Sequence, residues 1–480
     1  MALTLRFREP VGASPGPEFA GESPDSLPDS SAYGSEVRKI LKMQPFKRSY
    51  CGSSDHLGLS RRAFLGGSAI TAGAFSADMS GLECFAQPVF ADQLKQEQKR
   101  VILLWLAGGA SQLETWDPKP GRETGGPFRA IPTSVPGVHI SELMPKMAKR
   151  LHQHTAIIRS LNTRNGDHGG AAELMLKGRR TDASVPYPDL GAMIARELGR
   201  ADSKVPDFVA FYSETEGRGN TLGGPGFLGS RYAPIQLFED PIPQDLRRLD
   251  EVAEGDHQDR ENLRRLLSQR FLRNHTASTV QSHNTAYERV KGLMSSEYLF
   301  NIENESQSVR DRYGPTQFGE QCLVARRLVE AGVPFVRVAR AWWDSHGQNF
   351  ETHLELVTEL DHVMSVLLDD LQERGLLEDT LVITVGEFGR TPQINASLGR
   401  DHFATAWSCS LSGCGIRPGV VYGKTDPDGK SVTEGEMGAG DLFATIFKAV
   451  GIDPHQEYQY GARPIPLADP GTRIIADILG

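Results

Sequence analysis

Residues Val101 to Ala107 form an unbroken apolar run that ends in Gly108 and Gly109. A run of that length without alternation predicts a strand buried on both faces and closed by a tight turn. Val333 to Val338 and Thr380 to Val385 repeat the pattern, and Thr155 to Ser160 and Pro206 to Phe211 carry it more weakly. Between the strands the period changes. Leu356, Leu360, Val363, Met364, Leu367, Leu368 and Leu371 recur at helical spacing and predict a helix over 353–374 that stops at Gly375. A second helix is predicted over 317–330, before Gly332 and Pro334, and a third over 171–177. Residues 256–301 are polar with sparse apolar positions and predict long helices lying over one side. Gly217 to Gly229 predict a long loop without a phosphate-binding lysine. Strand alternating with helix at this spacing predicts a parallel sheet covered on both faces, with ligand sites at the carboxyl ends of its strands.

The first ninety residues break from this pattern. Residues 1–59 are rich in Ser, Pro, Gly and Glu, with no apolar period, and cannot bury enough surface to offset their ordering entropy. Ser60, Arg61, Arg62, Ala63, Phe64 and Leu65 follow, then a Gly- and Ala-rich apolar run to Ala77 and a small-residue site ending at Ala91. That order predicts a twin-arginine export signal cleaved after Ala91. The run is too short and too glycine-rich to span a membrane. The expectation is a leader over 1–91, a single α/β domain over 92–480, the twin-arginine export machinery as a partner, and a periplasmic or secreted destination without a transmembrane segment in the mature chain.

Charge adds little. The 480 residues carry a formal net charge of −9. The leader holds nine basic and nine acidic residues, so the whole excess belongs to residues 92–480. An acidic balance argues against nucleic acid as a partner. Cys51 and Cys84 leave with the leader. Cys322, Cys409 and Cys414 are an odd remainder from which no disulfide framework can be read, and buried thiols are the expectation for the last two.

Four polar clusters follow predicted strands: Ser111 to Pro118, Asn165 to Gly170, Trp343 to Asn349 with His353 beyond, and Gly386 to Arg390 with Asp401 and His402 beyond. Taken singly, each has a plainer reading as a hydrogen-bonded loop pair, a turn cap or a helix start. Together they place acids and imidazoles at several strand ends, and that donor set suits a divalent transition metal. Asp344 and His346 supply one acid–histidine pair, and Glu387 with Asp401 and His402 supply another. Arg390 is placed to pair bidentately with a phosphate, sulfate or carboxylate group. Gly169 and Gly170, opening a helix, offer backbone N–H groups to an anion.

These residues also resemble a known family. LAGGASQLETWDPKPG, DHGGAAELMLKGR, DSHGQNFETH and VGEFGRTPQINASLGRDHF look like the bacterial domain of unknown function 1501, and the resemblance covers roughly residues 95–475. That family is similar to the alkaline phosphatase and sulfatase superfamily, which implies a three-layer α/β/α sandwich with a mostly parallel central sheet. It implies Asp344, His346, His353, Glu387, Asp401 and His402 as the metal set, for one or two divalent ions (Zn, Mn, Ca or Mg). Arg390 with Gly169 and Gly170 would bind the anion. Two departures stand out. The superfamily's nucleophile position falls on His168, where no Ser, Thr or Cys stands, and the acid expected after the first strand is replaced by Ala107, Gly108 and Gly109. His168 is therefore expected as nucleophile or general acid. The function implied is an exported, metal-dependent hydrolase of a phosphate or sulfate ester, small-molecule or polysaccharide. The alternative is a catalytically inactive periplasmic or surface binding protein that keeps the fold.

Overall fold

The computed structural model describes residues 98–480, apart from short stretches between 201 and 295. The chain divides into two units, Met1–Ser80 and Gly81–Gly480. The leader and export signal expected over residues 1–91 lie outside the described residues.

Eight strands make the main sheet: β1 (Arg100–Leu106), β2 (Thr155–Leu161), β3 (Phe208–Phe211), β4 (Ile235–Leu237), β5 (Phe335–Arg340), β6 (Thr380–Val385), β7 (Trp407–Gly413) and β8 (Val421–Tyr422). Their spatial order is β8-β2-β7-β6-β1-β5-β3-β4. β1 lies at the centre, parallel to β5 on one side and to β6 on the other. β7 runs antiparallel to both of its neighbours, β6 and β2. The remaining pairings are parallel.

The alternation within β1 builds both cores. Ile102, Leu104 and Leu106 point to one side, where they join α1 (Pro145–His154), α5 (Gln317–Glu330) and α6 (Asn349–Glu373). Val101, Leu103 and Trp105 point to the other, toward α2 (His168–Lys177), α3 (Leu190–Leu198) and α7 (Ala439–Ala449). A strand with apolar residues on both faces is stable only between two such layers, so the uninterrupted run of β1 already dictates the sandwich. The protein is a three-layer α/β/α sandwich on a mostly parallel sheet. α4 (Glu254–Asn274) occupies part of the region read as long polar helices; much of the rest of that region, and Gly217 and Gly219, lie outside the described residues.

The strongest sequence signals match closely. The helix over 317–330 has the predicted bounds, and β6 spans the predicted residues. α6 begins four residues before the predicted start. Cys322, Cys409 and Cys414 are buried and unpaired. No helix among the described residues is long and apolar enough to cross a membrane.

Candidate metal centre

Three strand ends and a hairpin meet above the carboxyl edge of the sheet. β5 ends at Arg340, and the chain turns at Trp342, which has φ of 76°. This left-handed turn sends Trp343 into the core, fully buried, and leaves Trp342 outside. Asp344 follows, facing the site. β6 ends at Val385, and the chain then enters a hairpin in which Gly389 and Arg390 pair with Phe403 and His402. β2 leads to His168, the first residue of α2, whose start is capped by the Asp167 carboxylate accepting from the Gly170 N–H at 2.8 Å.

The ligand atoms of His168, Asp344 and His402 lie within 4.8 Å of one another. His168 Nε2 is 3.3 Å from Asp344 Oδ2, and His402 Nε2 is 3.3 Å from Asp344 Oδ1. His346 joins on that side, its Nε2 3.1 Å from Asp344 Oδ1 and 2.9 Å from His402 Nε2. Zinc held tetrahedrally by nitrogen and oxygen at roughly 2.0–2.1 Å separates its ligands by about 3.3 Å, so these contacts have the right length for the edges of a coordination shell.

Each of these side chains is oriented from behind. His168 Nδ1 lies 2.8 Å from Glu387 Oε1, which also accepts the Gly108 N–H at 2.9 Å. His402 Nδ1 donates to the Gly166 carbonyl at 2.7 Å. His346 Nδ1 lies 2.9 Å from Asp401 Oδ1. Arg390 donates to Asp344 Oδ1 at 2.7 Å. Outer partners of this kind set the tautomer and direction of metal-binding imidazoles.

The chemistry of the donors calls for a cation. The Gly166 carbonyl can only accept, so neutral His402 presents a bare lone pair at Nε2. Asp401 does the same for neutral His346. Two lone pairs 2.9 Å apart repel unless a proton or a metal stands between them. His168 Nε2 is buried and makes no hydrogen bond; its 3.3 Å neighbour Asp344 attracts it as a charge without receiving a directed bond. The carboxylates of Asp344 and Glu387 push the His168 imidazole up to about 9 against the effect of burial. Burial pushes the Asp344 carboxyl up, but His168, His402 and Arg390 outweigh it and hold the group well below the usual carboxylate range. The residues present therefore fit a divalent ion.

Glycine makes this convergence possible at two points. Gly108 has φ of +110°, and a Cβ there would stand 2.5 Å from the Asp344 backbone nitrogen. At Gly399 a Cβ would meet the His346 carbonyl oxygen at 1.9 Å. The close approach at Gly108 also explains the missing acid after β1: backbone of the Asp344 loop fills that space.

The family model described as "Protein of unknown function (DUF1501)" matches residues 98–479. The chain belongs to this family. Among curated proteins, none matches it. The structure is similar to those of a sulfatase from Pseudoalteromonas, with TM-score 0.36, 12% identity, and coverage of 75% of this chain and 69% of that one. It is also similar to a phosphonate monoester hydrolase from Silicibacter pomeroyi, with TM-score 0.32, 13% identity, and coverage of 79% and 76%. A protein in the alkaline phosphatase superfamily from Vibrio parahaemolyticus gives TM-score 0.28, 12% identity, and coverage of 76% and 73%. At these values the likeness says nothing about chemistry.

In this DUF1501 chain the residues that the pattern nominated divide into those that converge and those that do not. Asp344, His346 and His402 converge. His168, expected as nucleophile or general acid, stands among them with its free nitrogen turned inward. Glu387 and Asp401 are not at the cluster's centre; each faces the Nδ1 of an imidazole. His353 is elsewhere. It is fully buried, its Nε2 accepts the Ser111 N–H at 3.0 Å, and its Nδ1 donates to the Asn349 carbonyl at 2.9 Å, so no nitrogen remains for a metal. Arg390 corrects the anion-site expectation. Its guanidinium is fully buried and donates to the carbonyls of Gly108, Gly109 and Arg400 and to Asp344, so it pins the Asp344 loop and does not reach solvent. The Gly170 N–H is likewise held by Asp167, and Gly169 lies beside it in the first turn of α2.

The sequence reading missed Phe388. It is fully buried, and its ring packs against His168 at 4.9 Å and His402 at 4.4 Å between centroids. Its signal was an aromatic between Glu387 and Gly389 just past a buried strand. The Gly166 carbonyl had no signal, being backbone.

Proposed function

We propose that this chain is an exported, metal-dependent hydrolase of a phosphate or sulfate ester. The observation that carries the reading is the convergence of His168, Asp344 and His402 within 4.8 Å, each oriented by an outer partner. These three would hold the ion, with His346 as a further ligand beside Asp344 and His402. Imidazole nitrogens with one carboxylate suit zinc or manganese. When bound, such an ion supplies Lewis acidity, polarising the ester and easing the ionisation of water.

The chain's own residues prepare the site. Glu387 and Asp401 keep His168 and His346 with a free Nε2. Arg390 holds Asp344 as a carboxylate. Phe388 walls the inner side, while Asp344 and His346, both about half exposed, open the outer side to water and substrate. Export rests on the Arg61 and Arg62 pair with its apolar run and small-residue site.

Arg390 supplies the observation behind a second reading, a metal-bearing binding protein without turnover. Its engagement leaves the described site without the free guanidinium expected for a developing negative charge. The experiment is a panel of 4-nitrophenyl phosphate, bis(4-nitrophenyl) phosphate and 4-nitrophenyl sulfate assayed with and without chelator. The hydrolase reading expects nitrophenolate release from at least one ester, abolished by chelation and lowered in His402→Ala by more than the roughly 10- to 100-fold that loss of an outer partner costs. A fully metal-loaded protein with no turnover of any ester sinks it and leaves the second reading.

A further inference from the structure

Beside the proposed metal centre lies a cavity of about 520 Å³ that the ester chemistry does not use. This volume lies within the roughly 300–1,000 Å³ of small-ligand sites. It sits at the same carboxyl edge of the sheet. Tyr212 follows the end of β3, Arg340 ends β5, Trp342 follows it, Gln317 opens α5, and Glu355 and Glu359 lie one turn apart on α6. Trp342 is two residues from Asp344, so their Cα atoms are at most about 7.6 Å apart. A molecule with its ester at Asp344 that extends along this edge can reach the cavity.

The lining selects the ligand. Trp342 is 54% exposed, although it is the largest side-chain type and its neighbour Trp343 is fully buried. Its left-handed backbone conformation is unusual for a bulky residue. This arrangement offers an indole to solvent at the cavity, where its apolar face and N–H can both serve a ligand. Around it stand planar groups that hydrogen-bond in forked fashion. Arg340 Nε is 2.5 Å from Glu359 Oε2, and Arg340 Nη2 is 4.0 Å from Glu355 Oε1. Two carboxylates against one guanidinium leave the cavity net negative, which disfavours an anionic ligand. A ligand with an apolar C–H face and a rim of neutral hydroxyls satisfies the aromatic and the planar polar groups together.

We infer that this cavity is a subsite for a neutral saccharide unit stacked on Trp342, with its hydroxyls bonded by the Arg340, Glu355 and Glu359 groups. The inference deepens the ester-hydrolase reading by naming the alcohol side of the substrate as a saccharide, and it rests on that reading for the reaction but not for binding.

The test is isothermal titration of the full chain with cellohexaose, chitohexaose, neoagarohexaose and, as a cationic control, spermidine. Each is run with and without chelator. The expected result is saturable binding of at least one hexasaccharide, unchanged by chelation. Trp342→Ala should weaken it at least tenfold, Trp342→Phe less, and Glu355→Gln measurably, with circular dichroism confirming that each variant folds. Absence of binding by all three hexasaccharides at millimolar concentration overturns the inference. So does binding indifferent to Trp342→Ala, or binding of spermidine in their place. Loss of the metal reading leaves the saccharide titration intact, and a metal-loaded protein that binds no saccharide defeats this inference alone.

Discussion

At the residue scale, the candidate site depends on groups that stand behind the proposed ligands. Glu387 faces His168 Nδ1 and the Gly108 N–H with the same oxygen, so Glu387→Gln keeps the shape while removing the charge that favours Nδ1–H. Loss of such an outer partner lowers metal affinity by about 10- to 100-fold. Competition with a chromophoric chelator measures this, and an unchanged affinity would remove Glu387 from the site. His353 makes a different prediction. Burial pushes its imidazole down to about 4, whereas the unfolded chain protonates it near 6.5. The unfolded state therefore binds the extra proton in that window, and stability falls as the pH drops from about 6.5 toward 4, by about 3 kcal/mol at most. Urea midpoints across this range should fall less steeply in His353→Gln than in the parent. Equal slopes would contradict the assignment. His353 also shows where sequence reading misleads. A histidine a few residues beyond an Asp-x-His pair reads as a third ligand, yet α6 carries it into the core, where two backbone groups occupy both nitrogens.

At the scale of elements, what the chain revealed followed the strength of its periodicity. β1, β6 and α5 were legible because buried central strands and an amphipathic helix leave strong patterns. β7 was not. Trp407, Cys409 and Leu411 enter one core while Ser408, Ser410 and Ser412 alternate with them, and its antiparallel course breaks the strand–helix rhythm that located the others. α1, α3 and α7 also went unread. The hairpin that sets His402 beside Arg390 has only two residues per strand, below the length at which a period can be recognised, and so the site's acids and histidines could be nominated but not sorted into ligands and supports. The turn after β1 is the element on which this sorting depends. Gly108→Ala adds a Cβ against the Asp344 backbone at φ of +110°, a conformation that costs of order 1–3 kcal/mol for a non-glycine residue. It is expected to lower the urea midpoint and reduce bound metal together. A variant with full stability and full metal content would show that the close approach of these two loops is unnecessary.

At the scale of the whole molecule, one sandwich brings together residues as distant in sequence as His168 and His402 because their strands and hairpin end on one edge of one sheet. That edge holds both the proposed metal centre and the cavity beside Trp342, with the open side of the site between solvent and core. The proposed twin-arginine leader bears on where this happens. Replacing Arg61 and Arg62 by lysine is expected to retain the protein in the cytoplasm of a bacterial host, read by fractionation and immunoblot; undiminished export would refute the twin-arginine reading. The central claim is that His168, Asp344 and His402 hold a divalent ion, and elemental analysis of the purified protein tests it most directly. The account predicts about one equivalent of a divalent transition metal per chain, reduced to background in His402→Ala while the variant's circular dichroism stays that of the parent. Absence of stoichiometric metal in the parent after purification in metal-supplemented buffer, or full retention by a folded His402→Ala, would contradict it.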